Sequence, residues 1–333
     1  MRLNKIFSSH MVFSANKPIR IYGNGAGQAK IIFNGIEKNI ISDCNEWSVE
    51  FEPMNYGGPY ELEFVCGSEK TTLDDIFVGE VYLFSGQSNM GMKTKKINVS
   101  EDDYHDVNNL RLFSVDRIVG ADYFNADDGW VTCKANEAGE WSSLAYLVGR
   151  KMACEKNIAI GIIICAQGAS IIESWVPKDT FKNIGIDIPI DKKTDSHTTE
   201  EYKLWNVEAK LYETELLQAV PFQLSAVVWY QGESDTSYAE ACVYDKELCA
   251  LIDIWRSDFK NNLLPFVVVQ LADYCNAPDP EGWERLQNAQ CEVQNMRENV
   301  KLVVCRDVCE NDDIHPKTKQ ELANRIAETL YTI

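Results

Sequence analysis

The sequence predicts an α/β fold: a parallel sheet carrying helices on both faces, preceded by a small N-terminal β-sandwich. Three observations lead there. Near-continuous apolar runs recur from Asp74 onward, helix-like stretches alternate with them, and the residues before Asp74 carry short runs with period-two patterning instead. The expected domains are 1–75 and 76–333.

In the first region the runs PIRIYG, AKIIFNG, EWSVEF and GPYELEFVC are separated by Gly, Asn, Asp and Pro. Apolar side chains recur every second residue in IRIYG and YELEFVC, as they must when one face of an antiparallel sheet is buried. The later runs, DDIFVGEVYLFSG, LRLFSV, IAIGIIICAQG, LSAVVWYQG, LLPFVVVQL and VKLVVCRD, are apolar on both faces and read as parallel strands. Helices are expected over Ser143 to Lys156, with Ser142 or Ser143 as N-cap, and over Glu200 to Ala219, Tyr238 to Lys260, Trp283 to Glu298 and Lys317 to the end. Right-handed crossovers would join these units.

The 333 residues are 45% hydrophobic and 25% charged, a globular composition. A formal charge of -19 disfavours a nucleic-acid partner or an anionic membrane surface. No membrane span is expected, because the chain has no apolar run of the ~18 residues a span needs, and no signal peptide, because MRLNKIFSSHMVFSANKP has no continuous apolar run before a small-residue cleavage site. Several of the 11 Cys (Cys66, Cys154, Cys165, Cys249, Cys305) lie in runs that read as buried, which fits a reducing cytoplasm. Cys305 and Cys309 have no second pair or histidine cluster beside them, so no metal site and no cofactor are expected.

Ligands of such sheets bind beyond the carboxyl ends of the strands. There the sequence places Ser85-Gly86-Gln87-Ser88-Asn89, Ala166-Gln167-Gly168, Gln231-Gly232-Glu233-Ser234-Asp235, and the stretch from Glu310 to Pro316. Any one of these fits an ordinary turn or cap. Together they supply what acyl transfer requires. A serine hydroxyl (Ser88) needs a base (His315) to take its proton, and backbone or amide N–H groups (Ser88, Gly168, Gln231) are needed where the carbonyl oxygen turns negative. His10, His105 and His197 fall in the sandwich region or in polar loops. Trp175, Trp229 and Tyr230 lie near these strand ends and could stack on a ligand ring, although Trp229 fits the core equally well.

FSGQSNM, WYQGESD and DIHP resemble blocks of the SGNH hydrolase superfamily, specifically the sialate O-acetylesterase family. IFSSHMVFSANKPIRIYGNG, AQGASIIESW and DIHPKTKQELANRIA are similar to further blocks in the same order. The resemblance implies a flavodoxin-like three-layer catalytic domain and a serine esterase acting on acetylated carbohydrates, most of all O-acetylated sialic acid. It makes Ser88 the nucleophile, His315 the base, and Ser88, Gly168 and Gln231 the oxyanion donors. The acceptor that orients His315 is Asp313, the favoured choice, or Asp312, or a backbone carbonyl. Glu233 would position Gln231 or the substrate. The stretch from Ala169 to Trp175, and Met92 after Gly91, depart from the family's pattern near the pocket. Acetylated xylan or another plant glycan is the alternative substrate, and a non-catalytic carbohydrate-binding relative the alternative class.

Overall fold

The computed structural model describes residues 1–117, 129–187 and 200–333. Its first eight strands are β1 (Arg2–Leu3), β2 (Val12–Ser14), β3 (Ile19–Asn24), β4 (Gly27–Phe33), β5 (Ile36–Ser42), β6 (Glu46–Phe51), β7 (Gly57–Cys66) and β8 (Glu69–Gly86). An antiparallel sheet runs in the order β1-β3-β6. β5, β4, β7 and β8 pair antiparallel in that order, and β2 joins β8 in parallel. Alternation turns apolar residues of the two sheets toward each other. Phe33 meets Phe51 at a ring separation of 5.8 Å, and Trp47 stacks on Phe64 at 5.6 Å.

β8 does not stop where this region ends. Its second half is the central strand of a sheet completed by β9 (Val107–Ser114), β10 (Val131–Cys133), β11 (Ile160–Ala166), β12 (Ala226–Tyr230), β13 (Phe266–Val269) and β14 (Val300–Val303), in the order β10-β9-β11-β8-β12-β13-β14. All neighbours are parallel except β10, an antiparallel edge strand. Every residue of β11, β12 and β13 is buried, as their unbroken apolar runs require.

Helices flank this sheet. Ser143–Lys156 packs beside Gln320–Leu330, and Tyr244–Asp258 beside Pro280–Met296. Ser142 is the N-cap of the first, its Oγ accepting from the Ala145 N–H at 3.3 Å and donating to the Met90 carbonyl at 2.7 Å. The expected helix over Glu200 to Ala219 is instead three short turns, Tyr202–Leu204, Lys210–Thr214 and Leu216–Gln218, interrupted where Ala209 takes a φ of +64°. The one expected over Tyr238 to Lys260 divides into Tyr238–Ala241 and Tyr244–Asp258. Among the described residues no helix is long and apolar enough to cross a membrane.

The expected boundary at 75/76 falls inside β8, and the two regions interlock across it. Phe13 stacks on Phe222 at 5.9 Å, Ser14 Oγ donates to the Gln223 carbonyl at 2.7 Å, and Lys17 Nζ donates to the Leu224 carbonyl at 2.6 Å. A chain starting at residue 76 would therefore lose the β2 and β7 partners of β8 and expose Phe222. It should be insoluble or melt well below the full chain in a thermal unfolding scan. Equal melting temperatures would mean that the regions are energetically independent.

Candidate active site

The site begins where β8 and β12 end side by side. Gly86 has a φ of +139°, and a Cβ there would lie 2.0 Å from the Tyr230 carbonyl oxygen, so only glycine permits the approach. Gln87 then fastens the two strand ends, its backbone N–H donating to Tyr230 O at 3.0 Å and its Oε1 accepting from the Gly232 N–H at 3.1 Å. From the other side the Gln167 N–H donates to Gly86 O at 3.0 Å, bringing in the end of β11. Ser88 follows as the first residue of a single helical turn, Ser88–Gly91. A Cβ at Gly168 would sit 3.7 Å from Ser88 Cβ, so that glycine lies directly beside the serine.

His315 arrives on the loop before the last helix. Its Nε2 lies 2.7 Å from Ser88 Oγ. The loop is tied at several points: Glu310 accepts from the Lys317 and Thr318 N–H groups, Asp313 Oδ1 accepts from the backbone N–H of His315 at 2.9 Å, and Asn89 Nδ2 donates to the Ile314 carbonyl at 2.9 Å. Burial lowers the His315 pKa from its ordinary value, the Asp313 carboxylate opposes the shift, and the Lys319 and Lys96 ammonium groups add to it. The imidazole is thus held neutral and able to accept a proton at neutral pH.

The structure brings Ser88, His315 and Gly168 together on a cavity of about 530 Å³, within the usual range for a small-molecule site. Asp313 touches His315 through the backbone, Asp312 is exposed, and Nδ1 of His315 has no side-chain hydrogen-bond partner among the described residues. Gln231 is not turned to the cavity. Its Nε2 donates to the Ser170 carbonyl at 2.8 Å and to Asp235, and its Oε1 accepts from the Tyr244 hydroxyl at 2.8 Å. With its amide so engaged, it anchors the loop that follows Gly168 rather than reaching a substrate oxygen.

Trp175 is likewise not a sugar platform. It is wholly buried in an edge-to-face cluster with Trp229 and Trp255, and Tyr230 is wholly buried too. Glu233 does line the cavity, but it binds Asn89 (2.6 Å), not Gln231. Burial raises its pKa to about 7, against the pull of Asn89. His10 pairs with Asp75 at 2.8 Å, His105 is exposed away from the cavity, and His197 lies outside the described residues. Among the described residues no group of three or more His, Cys, Asp or Glu could hold a metal ion.

Sequence reasoning did not single out the remaining walls. Tyr202 and Trp205 line the cavity with aromatic side chains, and Lys93, Lys96, Arg117 and Glu201 are charged residues on its lining, the Lys93 ammonium being bound to Glu140 at 2.9 Å. Arg117 Nε is held on Gln167 Oε1 at 3.0 Å. The signal that could have found the lysines was the run KTKK directly after FSGQSNMGM, unusual in so acidic a chain.

Fold and site together define the class, an α/β chain with an esterase-type hydroxyl–imidazole pair at the carboxyl edge of its parallel sheet. Residues 78–332 match the family described as carbohydrate esterase, sialic acid-specific acetylesterase, and the chain belongs to it. It is 28% identical to the sialate O-acetylesterases of Homo sapiens over 325 residues and of Mus musculus over 348, in each case across 86% of this chain. It spans 60% and 63% of the length of those relatives. Its fold is similar to that of a carbohydrate acetylesterase from Xanthomonas citri, with a TM-score of 0.85 over 98% of this chain and 74% of that one at 23% identity.

The position of Gln231 has a measurable consequence. Gln231→Ala leaves the Ser170 carbonyl in the interior without its side-chain donor and removes one partner from Tyr244, whose hydroxyl keeps the backbone carbonyl of residue 231. It should lower unfolding free energy by about 1–3 kcal/mol for each buried group left without a partner. Unchanged stability in denaturant titration would contradict the network.

Proposed function

We propose that this chain is a serine esterase that removes acetyl groups from carbohydrate hydroxyls. The observation that carries the reading is the 2.7 Å contact between Ser88 Oγ and His315 Nε2 on the cavity. Neutral His315 takes the Ser88 proton as Oγ attacks the acetyl carbonyl carbon. The backbone N–H groups of Ser88, unpaired as at any helix start, and of Gly168 face the developing oxyanion. Collapse breaks the ester C–O bond, and His315 returns the proton to the departing sugar oxygen. Water, deprotonated by His315, then attacks the carbonyl of acetyl-Ser88, and as the C–Oγ bond breaks His315 returns that proton to Ser88 Oγ and acetate leaves. The Asp313 charge favours the transient imidazolium, and its backbone hydrogen bond holds the histidine loop.

Lys96 and Arg117 on the cavity lining favour an acetylated sugar bearing a carboxylate, such as O-acetylated sialic acid, over a neutral glycan. Tyr202 and Trp205 offer the ring a flat apolar wall. The N-terminal strands form, in this reading, a small β-sandwich that braces β8. Burial of Cys133, Cys165, Cys249 and Cys305 as thiols supports work in reducing surroundings such as the cytoplasm.

Acetate release should be measured from 9-O-acetylated sialic acid, acetylated xylan fragments and p-nitrophenyl acetate. Ser88→Ala should abolish all three while leaving the melting temperature near that of the parent. Full turnover by a folded Ser88→Ala protein would end the esterase reading, and preference for the xylan fragments would end the sialate one.

The pH profile follows from His315. Only the neutral imidazole accepts a proton, and burial holds its pKa below the ordinary ~6.5. The acid limb of kcat/KM should therefore fall below pH ~6.5, activity being retained above it. A limb near 7 that disappears in Glu233→Gln would instead report Glu233.

A further inference from the structure

Lys319 lies just ahead of the last helix with 1% of its surface exposed. A buried ammonium is strongly unfavourable unless another charge compensates it. Its Nζ donates to Asn89 Oδ1 at 2.7 Å and stands 5.2 Å from the centroid of the Tyr230 ring. Asn89, equally buried, passes the interaction on, because its Nδ2 donates to Glu233 Oε1 at 2.6 Å and to the Ile314 carbonyl at 2.9 Å. The whole amide is thereby used, with a cation on its oxygen and a carboxylate and a carbonyl on its nitrogen. The other oxygen of Glu233 has no hydrogen-bond partner among the described residues. Glu233 borders a cavity of about 10 Å³, room for one water, that Asp313 and Ile314 also line.

We infer that Lys319 and Glu233 form a buried ion pair relayed through the Asn89 amide, and that the relay positions the Ile314–His315 peptide so that the imidazole meets Ser88. It joins the end of β8, the end of β12 and the start of the last helix. Asn89 adjoins Ser88 in sequence and Ile314 adjoins His315, so the Asn89–Ile314 hydrogen bond at the centre of the relay lies one residue from each of them. Lys319, Asn89 and Glu233 are positioning residues that act through His315. The inference rests on the reading of Ser88 and His315 as nucleophile and base.

A double-mutant cycle with Lys319→Met and Glu233→Gln tests it, reading kcat, KM and melting temperature together. Lys319 does not line the substrate cavity, so Lys319→Met should lower kcat by about tenfold or more and change KM by less than about threefold. Measured above pH 7, where Glu233 is ionised, each single variant leaves one buried charge uncompensated. The double variant leaves none, and should exceed the product of the two single effects by about fivefold or more. Additive effects, a Lys319→Met change confined to KM, or a lower melting temperature with kcat intact would overturn the inference. If Lys319→Met is insoluble, Lys319→Gln, which keeps a donor for Asn89, replaces it in the cycle. A double variant no better folded than the worse single variant also counts against the relay. Ser88→Ala separates the two levels. Turnover in that variant removes the esterase reading itself, whereas an inactive Ser88→Ala with an additive cycle removes the relay alone.

Discussion

The hydrogen bond between Ser88 and His315 joins residues 227 positions apart, and the rest of the fold is arranged so that it can form. A contact of that sequence separation has no local support and is only as precise as the scaffold on either side. On the Ser88 side the scaffold is the floor of the sheet, where Gly86, Gln87 and Gln167 fasten β8 to both of its neighbours. On the His315 side it is a loop with few backbone bonds of its own, whose shape is set by side chains: Glu310, Asp313 and Asn89. A rigid strand end thus presents the hydroxyl, and a laced loop delivers the imidazole.

Much of this was legible in the sequence because it follows from periodicity. Each continuous apolar run became a parallel strand, since a strand covered on both faces has no polar positions to spare. Ser143–Lys156 was legible to the residue because Ser142 caps it. What was not legible depended on which way a side chain points at a strand end. Gln231 and Glu233 are two residues apart after the same strand, yet one binds the core and the other borders the cavity. The turn at Gly232, with a φ of +141°, breaks the strand's alternation there, so parity no longer sorts inside from outside. Trp175 failed for a related reason, as a tryptophan near a pocket and one packed against two others carry the same sequence signal. The break in the Glu200 to Ala219 stretch reflects tertiary contacts overriding helix propensity, with Trp205, Leu211 and Leu216 each buried from a separate turn.

The electrostatics of the site run against those of the chain. A protein of net charge -19 repels anions at long range, but within about one Debye length the local groups decide. Around the cavity these are Lys96 and Arg117 together with Glu201 and Glu233, Lys93 and Lys95 being paired to Glu140. Lys96 and the buried Lys319 both bear on His315. They favour its neutral form, while Asp313 favours the imidazolium. The histidine is therefore balanced between opposed fields, and burial tips the resting state toward the base.

Glu233 shows why such a balance needs the interior. In water its carboxylate and the Lys319 ammonium would be screened and would fix nothing. Behind β8 and β12 the pair has one route to each other, through an amide whose remaining hydrogen is spent on the Ile314 carbonyl. Low polarity raises the energetic stake of every link, so a displaced loop would leave a carbonyl and a charge unsatisfied together. The polar residues beside Ser88 are thus as constrained as the apolar ones beneath it, and the block Gly86-Gln87-Ser88-Asn89 reads as four separate requirements: close approach, strand fastening, the hydroxyl that meets His315, and loop anchor.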